Sequence, residues 1–167
     1  MGQELPELIS TVDIENELGE GAVWNEQTAS VWWTDIERFN LFEYHYGSGR
    51  LNKWDTPYRV GCFGFIEDDD RLIVAFDCGI AFFDLTNGNI DWLYGPTVLA
   101  DGLRFNDGKI DPFGRFWAGT MVEDPSVASE SGSLFSICPH QAPTEHISEI
   151  TTSNGLCWSV DELVMYH

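Results

Sequence analysis

Arg104, Asn106, Asp107 and Lys109 crowd around Gly108, in a run over residues 104–121 that reads Arg-Phe-Asn-Asp-Gly-Lys-Ile-Asp-Pro-Phe-Gly-Arg-Phe-Trp-Ala-Gly-Thr-Met. A guanidinium offers planar donors to a carbonyl or hydroxyl oxygen, and a carboxamide both donates and accepts. The turn Asp111-Pro112-Phe113-Gly114 follows, and then an aromatic strand. Groups able to bind a small polar ligand therefore sit beside a backbone that folds sharply.

The same layout occurs three more times. Val23-Trp24-Asn25 leads to Val31-Trp32-Trp33, and Phe65-Ile66-Glu67 leads to Leu72-Ile73-Val74. Lys109-Ile110-Asp111 leads to Phe116-Trp117, and Cys157-Trp158-Ser159 leads to Leu163-Val164-Met165. Aligned on Trp24, Ile66, Ile110 and Trp158, the repeats are spaced by 42, 44 and 48 residues. That period, rich in short strands, is the size of a β-propeller blade.

Four residues before each anchor stand Glu20, Cys62, Asn106 and Asn154, with Gly21, Gly64, Gly108 and Gly155 close behind. Blades are set radially, so equivalent positions on the innermost strands converge on one axis. One carboxylate and two carboxamides converging there form an oxygen-rich cation site. A lone Asn-Gly is an ordinary turn signal; three oxygen-bearing residues at one repeat-equivalent position are a stronger one.

The elements that must position these residues are strands. Seven Trp, 5 Tyr and 11 Phe favour strand over helix. Gly47-Ser48-Gly49 and Thr86-Asn87-Gly88-Asn89 read as hairpin turns between outer strands. Residues 122–132 form the least patterned loop, opened by Glu123 and Asp124, and Glu67–Asp70 is an acidic hairpin tip. Residues 1 to 11 read as an entry segment, and residues 1–167 as a single domain. The pattern predicts about three blades plus part of a fourth. Propellers close with four to eight blades, so the expectation is about half a propeller, with open edges prone to self-association.

Composition narrows the partners. Eight Lys and Arg stand against 28 Asp and Glu, for a formal net charge of −20. Nucleic acid and anionic membranes both need a basic surface, so neither is expected as a partner. No apolar run approaches the roughly 18 residues of a membrane span, and no charged-then-apolar leader precedes Leu8. Cys62, Cys78, Cys138 and Cys157 lack Cys-x-x-Cys spacing, and the expectation is reduced, mostly buried thiols in a cytoplasmic protein. His45, His140, His146 and His167 are scattered, which argues against both a His-rich zinc site and a partnered catalytic thiol.

Three segments resemble the SMP-30/gluconolactonase/regucalcin family of six-bladed propeller lactonases. Leu18-Gly19-Glu20-Gly21-Ala22-Val23-Trp24 is similar to its opening motif, residues 104–121 to its most diagnostic segment, and Ser153-Asn154-Gly155-Leu156-Cys157-Trp158-Ser159 to its third, all in family order. The resemblance implies a divalent-metal-dependent hydrolase of sugar lactones. It implies Glu20 and Asn154 as metal ligands for Ca²⁺, Zn²⁺, Mn²⁺ or Mg²⁺, and Arg104 and Asn106 as binders of substrate oxygens. Asp124, with Glu123 adjacent, matches an acidic substrate contact. The family's third ligand and catalytic base is an aspartate expected beyond His167, so the catalytic residue of this chain stays unassigned and the chain alone is expected to be inactive. Two other readings remain: a non-catalytic calcium-binding or interaction propeller, and another hydrolase on the same scaffold, such as an organophosphatase or a strictosidine-synthase-like enzyme.

Overall fold

Alternation of apolar and polar residues, broken every five to eight positions by turn residues, produces a chain of short antiparallel strands. The computed structural model describes residues 7–96, 98–138 and 141–167; residues 1–6 of the expected entry segment and His140 lie outside them. Blade 1 comprises β1 (Gly19–Asn25), β2 (Ser30–Asp35), β3 (Asn40–His45) and β4 (Arg50–Asp55). Blade 2 comprises β5 (Val60–Ile66), β6 (Asp69–Phe76), β7 (Gly79–Phe83) and β8 (Ile90–Tyr94). Blade 3 comprises β9 (Leu103–Ile110), β10 (Phe116–Val122), β11 (Gly132–Ile137) and β12 (Thr144–Ile150). A hairpin of β13 (Cys157–Trp158) and β14 (Met165–Tyr166) begins a fourth. In each full blade the strands are hydrogen-bonded in sequence order, all antiparallel. The described residues hold no helix, and the molecule is a partial β-propeller.

The first strands of the blades lie side by side. A Cβ built on Gly61 of β5 would come within 2.5 Å of the Asn106 carbonyl on β9. Gly21 of β1 faces the Gly61 carbonyl in turn, at 4.0 Å from such a Cβ. Beyond β9, Ser153 donates its N–H to the Thr120 carbonyl, and Thr152 bridges Met121. The order β1, β5, β9, then residues 151–155, is the radial order that the repeat predicts.

Between blades lie three apolar layers, and β6 shows why blade 2 is buried on both sides. Side chains alternate faces along a strand. Leu72, Val74 and Phe76 pack toward Trp32 and Leu41 of blade 1, whereas Ile73 and Ala75 pack toward Phe105, Phe116 and Ala118 of blade 3. A near-continuous apolar run is what a doubly covered strand requires. The third layer, Trp117, Leu134 and Leu156, joins blade 3 to the fourth hairpin. Aromatic stacking adds to the first layer, with Trp32 and Trp54 rings 5.1 Å apart and nearly parallel.

The cysteine expectation is corrected in part. Cys62 alone is fully buried; Cys78 and Cys138 are half-buried and Cys157 is exposed. Cys157 sits on the two-stranded fourth hairpin, which has no sheet on its far side among the described residues. All four are free thiols. Burial pushes the Cys62 thiol well up, with the nearby Asp107 adding to it, and burial first and Asp77 second raise Cys78 to about 11. Both shifts disfavour the thiolate, the nucleophilic form of cysteine.

Candidate site on the first strands of the blades

Register shifts mark the first strands of all three full blades at or beside the residues singled out by the repeat; on β5, Val60 pairs with Phe76 and Cys62 with Ala75. On β1, Glu20 pairs with Thr34 and Val23 with Trp32, so Gly21 and Ala22 together face Trp33. Gly21 takes φ +64, a conformation that side chains with a Cβ rarely adopt. On β9, Phe105 pairs with Thr120 and Gly108 with Ala118, so Asn106 and Asp107 face Gly119. Bulges re-aim side chains and are over-represented beside active sites.

Glu20 is exposed in a shallow cleft of about 300 Å³ lined by Asn16, Gly19, Gly21, Ala22 and Trp33. The strand that carries it is anchored from below by buried Asp35, whose carboxylate accepts the N–H groups of Glu17 and Leu18 at 2.9 and 3.0 Å.

Arg104, Asn106 and the 153–155 loop form one hydrogen-bonded unit. The Arg104 guanidinium donates from Nη1 to the Phe105 carbonyl (3.0 Å) and to Asn106 Oδ1 (2.9 Å). Asn106 Nδ2 donates to the Ser153 carbonyl at 2.8 Å, and the Gly155 N–H donates to Asp107 Oδ2 at 2.6 Å. Asn154 thus lies in a loop pinned on both sides to the β9 bulge, with its own side chain exposed. Arg104 is buried, at 6% exposure. Its Nη2 makes no hydrogen bond among the described residues, so two N–H groups remain to be offered to a ligand.

The two acidic residues that open the following loop do different things. Asp124 is exposed and folds onto its own turn, accepting from the Ser126 N–H (2.9 Å) and hydroxyl (2.6 Å). Those bonds hold its carboxyl below the usual range. Glu123 instead accepts from Arg104 Nε at 3.1 Å and from both terminal nitrogens of Arg59, at 2.6 and 2.9 Å. The Arg59 guanidinium, with Arg104 behind it, holds the Glu123 carboxyl low against the upward push of burial. Arg59 also donates Nε to Asp77 at 2.9 Å and approaches Glu37 at 3.6 Å. A cleft of about 220 Å³ opens beside this cluster, bounded by residues 99–102 as well.

Arg59, Asp77 and Glu37 escape a reading based on repeat-equivalent first-strand positions, because they lie on the connections between strands. One signal was present: Glu37 and Glu123 both fall 13 residues after their blade anchors, Trp24 and Ile110.

Glu20 and Asn154 fit a hard cation as part of a donor set. Both offer oxygen, and neither side chain makes a hydrogen bond among the described residues. Among the described residues no three His, Cys, Asp or Glu side chains cluster to hold a metal ion. Of Glu20 and Asn154, only Glu20 carries charge. No bond links Glu20 to Asn154 or Asn106 among the described residues; the tie that is present runs from β9 to the 153–155 loop.

The family model described as SMP-30/gluconolactonase/LRE-like region matches residues 18–167. The chain belongs to this family. It is 43% identical over 154 residues to regucalcin of Macaca fascicularis, covering 89% of this chain and 50% of that one. It is 31% identical over 150 residues to a 6-deoxy-6-sulfogluconolactonase of Pseudomonas putida, covering 90% of this chain and 50% of the other. Among solved structures, a luciferin-regenerating enzyme superposes with a TM-score of 0.80 at 26% identity, over 91% of this chain and 52% of that one. A calcium-binding protein, regucalcin of Agrobacterium tumefaciens, superposes with a TM-score of 0.76 at 28% identity, over 88% and 48%. The chain spans about half the length of the relatives it matches.

Proposed function

We propose that this chain carries one half of the active site of a divalent-metal-dependent sugar lactonase. The observation that carries this reading is the Arg104–Asn106 unit: a buried guanidinium with Nη2 unbonded, locked by a carboxamide to the loop that bears Asn154. Storing a cation needs neither group. Relatives named as lactonases support the substrate class.

Lactone hydrolysis builds negative charge on the carbonyl oxygen. Arg104 Nη2 and the second N–H of the Asn106 carboxamide are fixed donors for that oxygen, and fixed donors need no reorganisation as charge develops. Glu20 and Asn154 would hold the cation. When bound, it supplies Lewis-acid polarisation and lowers the pKa of an attacking water. The proton acceptor is expected from the family's following blade rather than from these 167 residues. The compartment in this reading is the cytoplasm.

The test is a pH-stat assay with δ-gluconolactone, spontaneous hydrolysis subtracted, on the 167-residue chain and on the same chain joined to the remaining blades. The joined chain is expected to be faster by about 10²–10⁴-fold, the usual weight of a positioned base. Asn106→Ala is expected to slow it. Equal rates for both chains, with Asn106→Ala without effect on either, would refute the reading. Calorimetry with Ca²⁺ tests the ligand assignment separately. Glu20→Gln removes the charged donor and is expected to weaken binding by about tenfold or more, since affinity follows ligand charge count. Unchanged affinity in Glu20→Gln removes Glu20 from the site. Tight Ca²⁺ binding without turnover in the joined chain would favour the cation-binding reading, to which the regucalcin relatives point.

A further inference from the structure

We infer that Glu123 and Arg59 are positioning residues for the Arg104–Asn106 pair, an inference that rests on reading that pair as the lactone-binding group. Arg104 is held on two sides. Its Nη1 bonds Phe105 and Asn106, and its Nε bonds Glu123. Remove the Nε bond and the guanidinium plane can turn about the remaining contact, which moves the unbonded Nη2 away from a fixed direction.

Glu123 cannot supply that hold alone. It is a glutamate at the mouth of a loop, with its side chain 37% exposed. Arg59 fixes it with two parallel N–H···O bonds, a geometry that Lys cannot reproduce. Arg59 is fixed in turn by Asp77, whose backbone carbonyl accepts the Phe105 N–H at 3.1 Å, one residue from Arg104. The Gly102 carbonyl secures the loop by accepting the N–H groups of Glu123 (2.8 Å) and Asp124 (3.1 Å). The chain of contacts Asp77–Arg59–Glu123–Arg104–Asn106 therefore starts and ends on the β9 backbone, a closed loop that fixes every member. Asp124, the residue at the family's substrate-contact position, takes no part in it; its carboxylate bonds Ser126.

Two readouts on the ¹⁵N-labelled 167-residue chain test this. The first is hydrogen exchange at the Arg104 Nε–H. The second is titration with D-gluconate, the stable hydrolysis product, followed at the Arg104 and Asn106 side-chain signals. Glu123→Ala is expected to lose the slow exchange of the Arg104 Nε–H and to weaken gluconate binding by about tenfold or more, the scale of a hydrogen bond to a charged group. Glu123→Gln keeps an acceptor at Nε and is expected to recover most of the affinity, which a merely structural loss would not predict. Arg59→Lys keeps the charge without the fork and is expected to fall between the two; it is the variant to read if Glu123→Ala lowers the folded fraction. Unchanged Arg104 exchange and unchanged affinity in Glu123→Ala and Arg59→Lys would overturn the positioning role. Weakening by Asp124→Ala with none by Glu123→Ala would overturn it too. If gluconate shifts neither Arg104 nor Asn106 in the unmutated chain, the lactone reading itself falls.

Discussion

Gly108→Ala destabilises the chain by about 3 kcal/mol or more, at the upper end of what overpacking costs. A Cβ at this position meets the Trp117 carbonyl, Cys62 Sγ at 2.6 Å and Ala118 Cα at 2.9 Å. Two of these neighbours are backbone of the paired strand β10, and the third is a fully buried thiol from blade 2. Nothing there is the far end of a long flexible side chain, so relief requires parting β9 from β10 within blade 3 as well as from Cys62 of blade 2. Gly95→Ala is the matched control, since a Cβ there meets nothing within 4 Å among the described residues. Denaturant titrations read both. A lower midpoint with unchanged slope in Gly108→Ala is a loss of stability rather than a change in unfolded-state compactness. A Gly108→Ala midpoint equal to that of Gly95→Ala would mean that the blades are not packed as described.

Asp111→Ala costs about 3 kcal/mol, because its fully buried carboxylate is the acceptor for a whole turn. It takes the N–H groups of Phe113 (2.9 Å) and Arg115 (2.8 Å), Arg115 Nε (2.6 Å) and the Trp117 indole N–H (2.9 Å). Without it the indole donor is buried with no partner. Burial pushes this carboxyl up, but the Trp117 and Arg115 donors and the Phe113 N–H together hold it below its ordinary value. A depressed folded-state pKa contributes stability that is fully present above the unfolded value, near pH 4, and is lost as pH falls through the folded one. The unmutated chain therefore loses this contribution below about pH 4, whereas Asp111→Ala has a flatter stability profile there. Parallel acid limbs for the two proteins would show that Asp111 is not the group responsible.

The blade repeat is legible in the chain because each blade needs the same apolar alternation and the same turns, so the period survives wherever composition drifts. The site is legible only where it shares that period. Asn106 and Asn154 stand at equivalent positions, and the bonds from the β9 bulge to residues 153–155 join them. Asp124 and Glu123 illustrate the limit. They are neighbours in sequence and chemically alike, yet one bonds Ser126 and the other Arg59 and Arg104. Which does which depends on the loop backbone, held at Gly102, and on an arginine 64 residues earlier. No local pattern encodes either.

In an array of repeats that touch only their nearest neighbours, stability is a sum of unit and interface terms, and the array can unzip from an end one unit at a time. Arg59 ties two of those interface terms together. It leads into blade 2 and meets Glu37 of blade 1 and Glu123 of blade 3, so one side chain serves both interfaces of blade 2. Peeling blade 1 away strips a carboxylate from the arginine that steadies blade 3, and freeing blade 3 does the reverse. Such a bond makes the three blades open together rather than in series, and the group at the centre of that cooperativity is the one that also holds Arg104.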